Sequence, residues 1–358
     1  MINKEIRDMK GSFLTSDEML AIPAQEISDL GPMAPEPLVS VIVVTYNHEA
    51  YIRQDIEGIL AQQCDFPFEL IIGEDHSTDR TLEICLSYQQ KHPEVIRVVT
   101  WQENLGIGPN YLRCLGRARG KYLAFCEGDD YWIDPAKLTK QVALMEKWPE
   151  TTLCGARTRV LMEIPGKNPI ETLIGEDNPE IAYSLKDVLS GYLFHTSSFL
   201  LRRSKLLLPQ QARSMVYPDG VLQCLSALQG SLRCLPDVVS VYRHHPKGVC
   251  IGGSIDLHLD RCEDICHMML DIIEDEDDER LVRHTLDGVH SRRCHHLINE
   301  GRISEARLLA GELLPRLARH NFRRALQLLV HLCLPKPYAF LKRVGQDVRI
   351  MRYAGRFQ

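Results

Sequence analysis

The stretch LVSVIVVTYN (Leu38–Asn47) limits the fold more than any other part of the chain. Its β-branched, almost unbroken apolar run suits a strand covered on both faces, as in parallel sheets packed between helices. The next hundred residues keep that frame. EAYIRQDIEGILAQ (Glu49–Gln62) sets Ile52, Ile56, Ile59 and Leu60 on one helical face, and FELIIGED (Phe68–Asp75) reads as a second strand. A helix follows, with Ser77 or Thr78 placed to cap it. VIRVVTW (Val95–Trp101) is a third strand, PNYLRCLGRAR a short helix, and KYLAFC (Lys121–Cys126) a fourth strand. This alternation predicts an α/β fold with a mostly parallel, Rossmann-like central sheet flanked by helices.

Ligands of such sheets gather beyond the carboxyl ends of the strands. Thr45, Tyr46 and Asn47 fall at the first of these ends, and Glu74 and Asp75 at the second. CEGDDYW (Cys126–Trp132) adds Glu127, Asp129 and Asp130 at the fourth. One acidic turn after a strand would be ordinary. Three strands delivering polar groups to one edge predict a site, and carboxylates at this density suit a divalent cation holding an anionic substrate.

Downstream, Asp134–Trp148 reads as a capped amphipathic helix with proline in its first turn. Gly191–Ser204 reads as a strand, Asp219–Gly230 as a helix, and SLRCLPDVVSVYRHH (Ser231–His245) as a pair of strands. From about Ile255 the pattern is helical. Residues 1–37 lack a sustained period and end in GPMAPEP, a linker pattern. The expected organisation is an N-terminal linker (1–37), a catalytic-type α/β domain (38–254) and a helical C-terminal extension (255–358).

The 358 residues are 44% hydrophobic and 25% charged with net charge -6, which gives no general attraction to nucleic acid. The average hides an asymmetry: residues 311–358 hold 10 Lys+Arg against 2 Asp+Glu, and the remainder holds 32 against 46. The 12 cysteines contain no CxxC pair. Cys262, Cys266 and His267 read as one face of a helix rather than a zinc site. With no signal-peptide pattern and no apolar run of about 18 residues, a reducing, cytoplasmic location is expected. Arg316, Arg319, Arg323 and Arg324 beside Leu314, Leu317, Leu326, Leu328, Leu329 and Leu332 leave two readings open. One is a helix lying on the inner face of a membrane; the other packs those leucines on the catalytic domain or on a second copy, as in a homodimer.

Taken in order, VSVIVVTYN, IIGEDHSTDRT, NLGIGPNYLRCLGRARGKYLAFCEGDDYW, PDGVLQ and VYRHHPKGV resemble the family 2 glycosyltransferases, inverting enzymes of the GT-A fold. The resemblance covers roughly Leu38 to Gly248. It implies transfer of a sugar from a nucleotide-diphosphate donor to a hydroxyl of a glycan or lipid-linked acceptor, with Mn²⁺ or Mg²⁺ as cofactor. Glu127-Gly128-Asp129 matches the acidic metal motif, with Glu in place of the more usual Asp. That match implies Asp129 as metal ligand, Glu127 toward the ribose and Asp130 near the sugar. Thr45, Tyr46 and Asn47 match the segment lining the nucleoside. Glu74 and Asp75 match the pair that accepts a base N–H, with uracil and hence UDP as the first choice.

Asn104 and Gly106 match an Asn-x-Gly turn, where glycine permits positive φ. Asp219 matches the general base, although Pro218 stands where many members have Glu; a helix N-cap is the structural alternative. His245, in preference to His244, matches a histidine that reaches the metal or diphosphate. Arg243 and Lys247 can pair with phosphate oxygen, with an exposed basic turn as the alternative. A nucleotidyltransferase is the rival enzyme class, but VTYNHEAYI lacks the glycines and lysine of its phosphate loop. A non-catalytic sugar-nucleotide-binding relative is the other alternative.

Overall fold

The computed structural model describes residues 9–29, 31–163, 170–191, 193–214, 218–245, 248 and 255–333. The chain begins with helix α1 (Ser16–Leu20) and strand β1 (Gln25–Ile27). It continues through β2 (Val39–Thr45), α2 (Ile52–Leu60), β3 (Phe68–Glu74), α3 (Thr81–Lys91), β4 (Ile96–Thr100), α4 (Ile107–Leu115) and β5 (Tyr122–Glu127). Strands β4, β3, β2 and β5 lie side by side in that order, all parallel. Every residue of β2 is buried, as its apolar run requires. Val39, Val41 and Val43 pack with Ile52, Ile56 and Ile59 of α2. Each of these isoleucines is wholly buried, a gain of about 1.5–3 kcal/mol per side chain.

The sheet then becomes mixed. β6 (Tyr131–Trp132), α5 (Lys137–Lys147), β7 (Thr151–Met162), β8 (Ile170–Ile174), α6 (Leu185–Ser190), β9 (Leu200–Arg202), α7 (Pro218–Gln229) and β10 (Ser231–His244) follow. Beyond β5 the order is β9-β7-β10-β6, with β8 paired to β7. β9 is antiparallel to both β5 and β7, β10 is parallel to β7, and β6 is antiparallel to β10. The α/β class with helix-flanked central sheet is as expected, parallel in its first half and mixed in its second.

Four local readings differ. The segment read as a linker carries α1, closed by a capping box between Thr15 and Glu18, and β1, which pairs antiparallel with β4. Arg97 fixes this edge, donating to Glu26 and to Glu69 at 2.8 Å each. Five helical and three strand residues are too few to register as a period. The N-cap of α3 is Arg80, which makes no side-chain cap bond; Asp79 Oδ1, one residue earlier, accepts the Thr81 N–H at 2.9 Å, and Ser77 and Thr78 bond to Asn47. Among the described residues of Gly191–Ser204, read as one strand, the strand is β9 alone, preceded by a 3₁₀ turn at Thr196–Ser198. The expected strand pair is one strand, β10. Pro236, which has no N–H to give a ladder, sits where the register with β7 shifts between Leu235 and Val238. Proline is here a bulge rather than a turn.

The chain divides into two compact units, Met1–Gly252 with Asp271–Asp278, and Gly253–Leu270 with Glu279–Gln358. The C-terminal helices are α8 (Ile255–Ile272), α9 (Glu276–Asn299), α10 (Ile303–His320) and α11 (Phe322–Cys333). Cys294, Leu297, Ala310, Leu313, Leu317 and Leu328 form the core of the second unit. No helix among the described residues is long and apolar enough to cross a membrane.

Candidate active site

The strand register brings the polar ends together. Thr45 of β2 lies beside Glu74 of β3, and Val44 beside Glu127 of β5. Each ladder runs one step further: the Asp75 N–H donates to the Thr45 carbonyl and the Gly128 N–H to the Val44 carbonyl, each at 3.0 Å. A Cβ at position 128 would stand 2.6 Å from Thr45 Oγ1 and 2.7 Å from Thr45 Cβ. The middle residue of Glu-Gly-Asp therefore has no room for a side chain.

The three carboxyl groups of the acidic loop meet different surroundings. Glu127 Oε1 accepts the Tyr111 hydroxyl at 2.7 Å, while Oε2 is buried without a hydrogen-bond partner. Burial, with the charges of Asp129 and Asp219 behind it, pushes Glu127 up to about 8. Asp130 accepts the Arg243 backbone N–H at 2.9 Å and stands 3.6 Å from His195 Nδ1. Burial first, then Asp129 and Glu127, hold it well above the usual carboxylate range. Asp129 goes the other way. Burial acts to raise it but is outweighed by the hydrogen bond to His245 and the charges of His48 and His245, so it is lowered. His245 Nε2 is 3.1 Å and His48 Nε2 3.7 Å from Asp129 Oδ2.

These residues fit a divalent cation. Ligand atoms of Glu127, Asp130 and His195 lie within 4.8 Å of one another, Asp129 and His245 are paired beside them, and Glu127 Oε2 is left aimed at nothing. Carboxylate oxygen suits Mg²⁺ and Mn²⁺, and imidazole nitrogen suits the latter better. Asp219 stands in the first turn of α7, near enough to Glu127 and Tyr111 for its charge to raise both.

At the end of β2, Thr45 is buried with Oγ1 3.2 Å from His48 Nδ1, and Tyr46 is exposed. Asn47 adopts φ 57°, a left-handed conformation that asparagine tolerates, and its Oδ1 accepts the Thr78 N–H at 2.8 Å. Asp75 clamps the Asn-x-Gly turn. Its two oxygens accept the N–H groups of Leu105 at 3.0 Å and Gly106 at 2.8 Å, and Asn104 Nδ2 donates to its carbonyl at 2.9 Å. Burial raises Asp75 despite those two amides. Gly106 has φ 84° with open space around it, as the turn requires.

Two expectations need correction. Glu74 is fully buried, with Oε1 accepting the Ser77 N–H at 2.7 Å and Oε2 the Thr100 hydroxyl at 2.9 Å. It shapes the turn from within rather than offering a carboxylate to a base. Arg243 is 8% exposed. Its guanidinium donates to the Asp129 carbonyl at 2.9 Å and to Gln54, and lies over the Tyr131 ring. It braces the acidic loop instead of standing open to phosphate. His245 is the histidine at Asp129, while His244 packs edge-on against Tyr242. Lys247 lies outside the described residues.

Sequence reading missed His195, His48 and Tyr111. His195 stacks on Tyr242 at 4.0 Å, and burial pulls its pKa down to about 3, so the ring is neutral. Its one signal was a histidine followed by Thr-Ser-Ser in an otherwise apolar run. Behind the loop, Trp132 Nε1 donates to the Ser197 carbonyl at 2.8 Å. Lys137 lies 4.0 Å over the Trp132 ring, wholly buried, and burial brings its pKa down to about 7.

With this geometry in place, comparison with known proteins is informative. The family model for glycosyl transferase family 2 matches residues 40–207. An uncharacterized protein of Mycobacterium tuberculosis is 36% identical over 222 residues, 61% of this chain and 62% of the relative. The putative teichuronic acid biosynthesis glycosyltransferase TuaG of Bacillus subtilis is 41% identical over 110 residues, 31% of this chain and 42% of the relative. The chain therefore spans less than two thirds of the length of these curated relatives.

Among solved structures, residues 1–349 of S. aureus TarS in complex with UDP-GlcNAc superpose with TM-score 0.56 at 18% identity, covering 77% of this chain and 80% of that fragment. The mannosyltransferase PcManGT from Pyrobaculum calidifontis, in complex with GDP-Man and Mn²⁺, gives TM-score 0.52 at 18% identity over 91% and 88%. At that identity the two likenesses establish the fold.

Proposed function

We infer, from the premise that residues 40–207 belong to glycosyl transferase family 2, that this chain is an inverting, hexosyl-type glycosyltransferase. Its donor is a nucleotide-diphosphate sugar, with UDP the first base to test, and its acceptor a hydroxyl of a glycan or lipid-linked saccharide. The observation that carries this reading is the convergence of Glu127, Asp129, Asp130 and His245 with the charge of Asp219 at one sheet edge.

Asp219 takes the proton from the acceptor hydroxyl as its oxygen bonds to the sugar's anomeric carbon. The bond from that carbon to the diphosphate breaks, and the nucleoside diphosphate leaves with the electron pair. Asp129 and His245, with Glu127, Asp130 and His195 adjoining, would hold a divalent cation, which supplies Lewis-acid neutralisation of the diphosphate. Asn47 and the turn clamped by Asp75 would line the nucleoside. Arg243 keeps the acidic loop from drifting.

The test is release of nucleoside diphosphate from a panel of UDP- and GDP-sugars, with Mn²⁺, Mg²⁺ or chelator, read beside calorimetric binding. Metal-dependent turnover or binding of at least one donor is expected. No binding and no turnover across the panel would overturn the reading.

A further inference from the structure

The helices of the second unit divide their leucines between two faces. Leu313, Leu317 and Leu328 are in its core, whereas Phe322, Leu326, Leu329 and Val330 are 70%, 49%, 46% and 37% exposed. On α11 these four stand at i, i+4, i+7 and i+8, an arc of about 100° on a helix of 3.6 residues per turn. Ala325, Leu328 and His331 take the buried side. The result is a continuous apolar stripe turned away from the core. Arg323 borders it and Arg319 precedes it at the end of α10, both exposed. Arg316 is not available in the same way, because its Nε donates to Asp287 at 3.0 Å.

We propose that this face docks the chain on an anionic lipid surface. A two-fold contact between copies would set the same arginine-bordered stripe against itself, in a segment where basic residues outnumber acidic ones by 10 to 2. Nucleic acid offers phosphates but no apolar layer for a phenylalanine and two leucines. A lipid interface supplies both: anionic headgroups for the arginines and an acyl boundary for the stripe. Docking of this kind is independent of which reaction the first unit performs.

The experiment is co-sedimentation of the full chain with vesicles of phosphatidylcholine alone or mixed with phosphatidylglycerol, across a salt series. Binding is expected only with phosphatidylglycerol and falls as salt rises. Leu326→Asp with Leu329→Asp should lower the bound fraction at least tenfold. Arg319→Gln with Arg323→Gln should lower it about fivefold per charge removed and flatten the salt dependence. All four positions are exposed, so melting temperatures should match the parent. If the leucine variant melts early, the arginine variant decides. No binding of the full chain to phosphatidylglycerol vesicles would overturn the proposal, as would equal binding by the arginine variant. A stripe that covers a second copy would instead show as an oligomer that Leu326→Asp and Leu329→Asp dissociate without changing lipid binding, which also overturns it.

Discussion

His245 Nε2 and Asp129 Oδ2 are 3.1 Å apart, a contact between residues 116 positions apart in the chain. It joins the loop after β5 to the end of β10 and helps hold the Asp129 carboxyl below its usual range, while burial raises those of its two acidic neighbours. Asp129→Ala should abolish transfer and weaken diphosphate binding in the presence of Mn²⁺ while leaving metal-free binding little changed. Calorimetry of UDP with and without Mn²⁺ checks this, and unchanged metal-dependent activity would rule Asp129 out as a ligand.

Asp219 separates chemistry from binding. Asp219→Asn should leave donor affinity near that of the parent while lowering kcat by about 10²–10⁴, the range for loss of a general base. A collapse of donor binding with unaltered turnover at saturation would make Asp219 a helix cap.

Gly128 tests the geometry of the acidic loop without touching a carboxylate. Gly128→Ala places a methyl group against Thr45 Cβ and Oγ1, an overpacking that costs about 1–3 kcal/mol. The loop should shift before the sheet does. Loss of metal-dependent donor binding with a modest fall in melting temperature is the expected pattern, and retention of full activity would show that the loop yields freely.

Lys137 supplies a pH dependence away from the carboxylates. The unfolded chain keeps this proton up to the ordinary lysine value of 10.5, whereas the native chain releases it above about 7. Between those values the unfolded state binds more protons, so stability contributed through this group rises with pH. Lys137→Met should remove up to about 1.4 kcal/mol per pH unit of that rise. Urea unfolding of parent and variant at pH 7.5 and 9.5 measures the difference; parallel changes in the two proteins would contradict it.

The first half of the sheet was legible because its signals are local. The β2 run, the isoleucine stripe of α2 and the acidic groups at strand ends each lie within a dozen residues. Asp75, Asn104 and Gly106 were each marked, and the structure joins them. What escaped depended on distant pairing. His195 reaches the site through a 3₁₀ turn held by β9 between β5 and β7, and no local period announces that. Burial decided the roles of Glu74 and Arg243: both have the charge a ligand contact wants, and both have it engaged by the chain itself. Of the basic tail, residues 334–358 lie outside the described residues.

The bulge in β10 has a bearing on which of two adjacent histidines meets Asp129. Past Leu235, the residues Pro236, Asp237 and Val239 have no partner on β7, an odd number of unmatched positions. Side chains of a strand alternate with period two, so an odd surplus inverts the phase of everything beyond it. Removing one of the three would restore the opposite parity and turn His244 toward the acidic loop in place of His245. Pro236 and Asp237 are two and leave the phase unchanged, so the single unmatched Val239, remote in sequence from the acidic loop, acts as the molecule's parity bit.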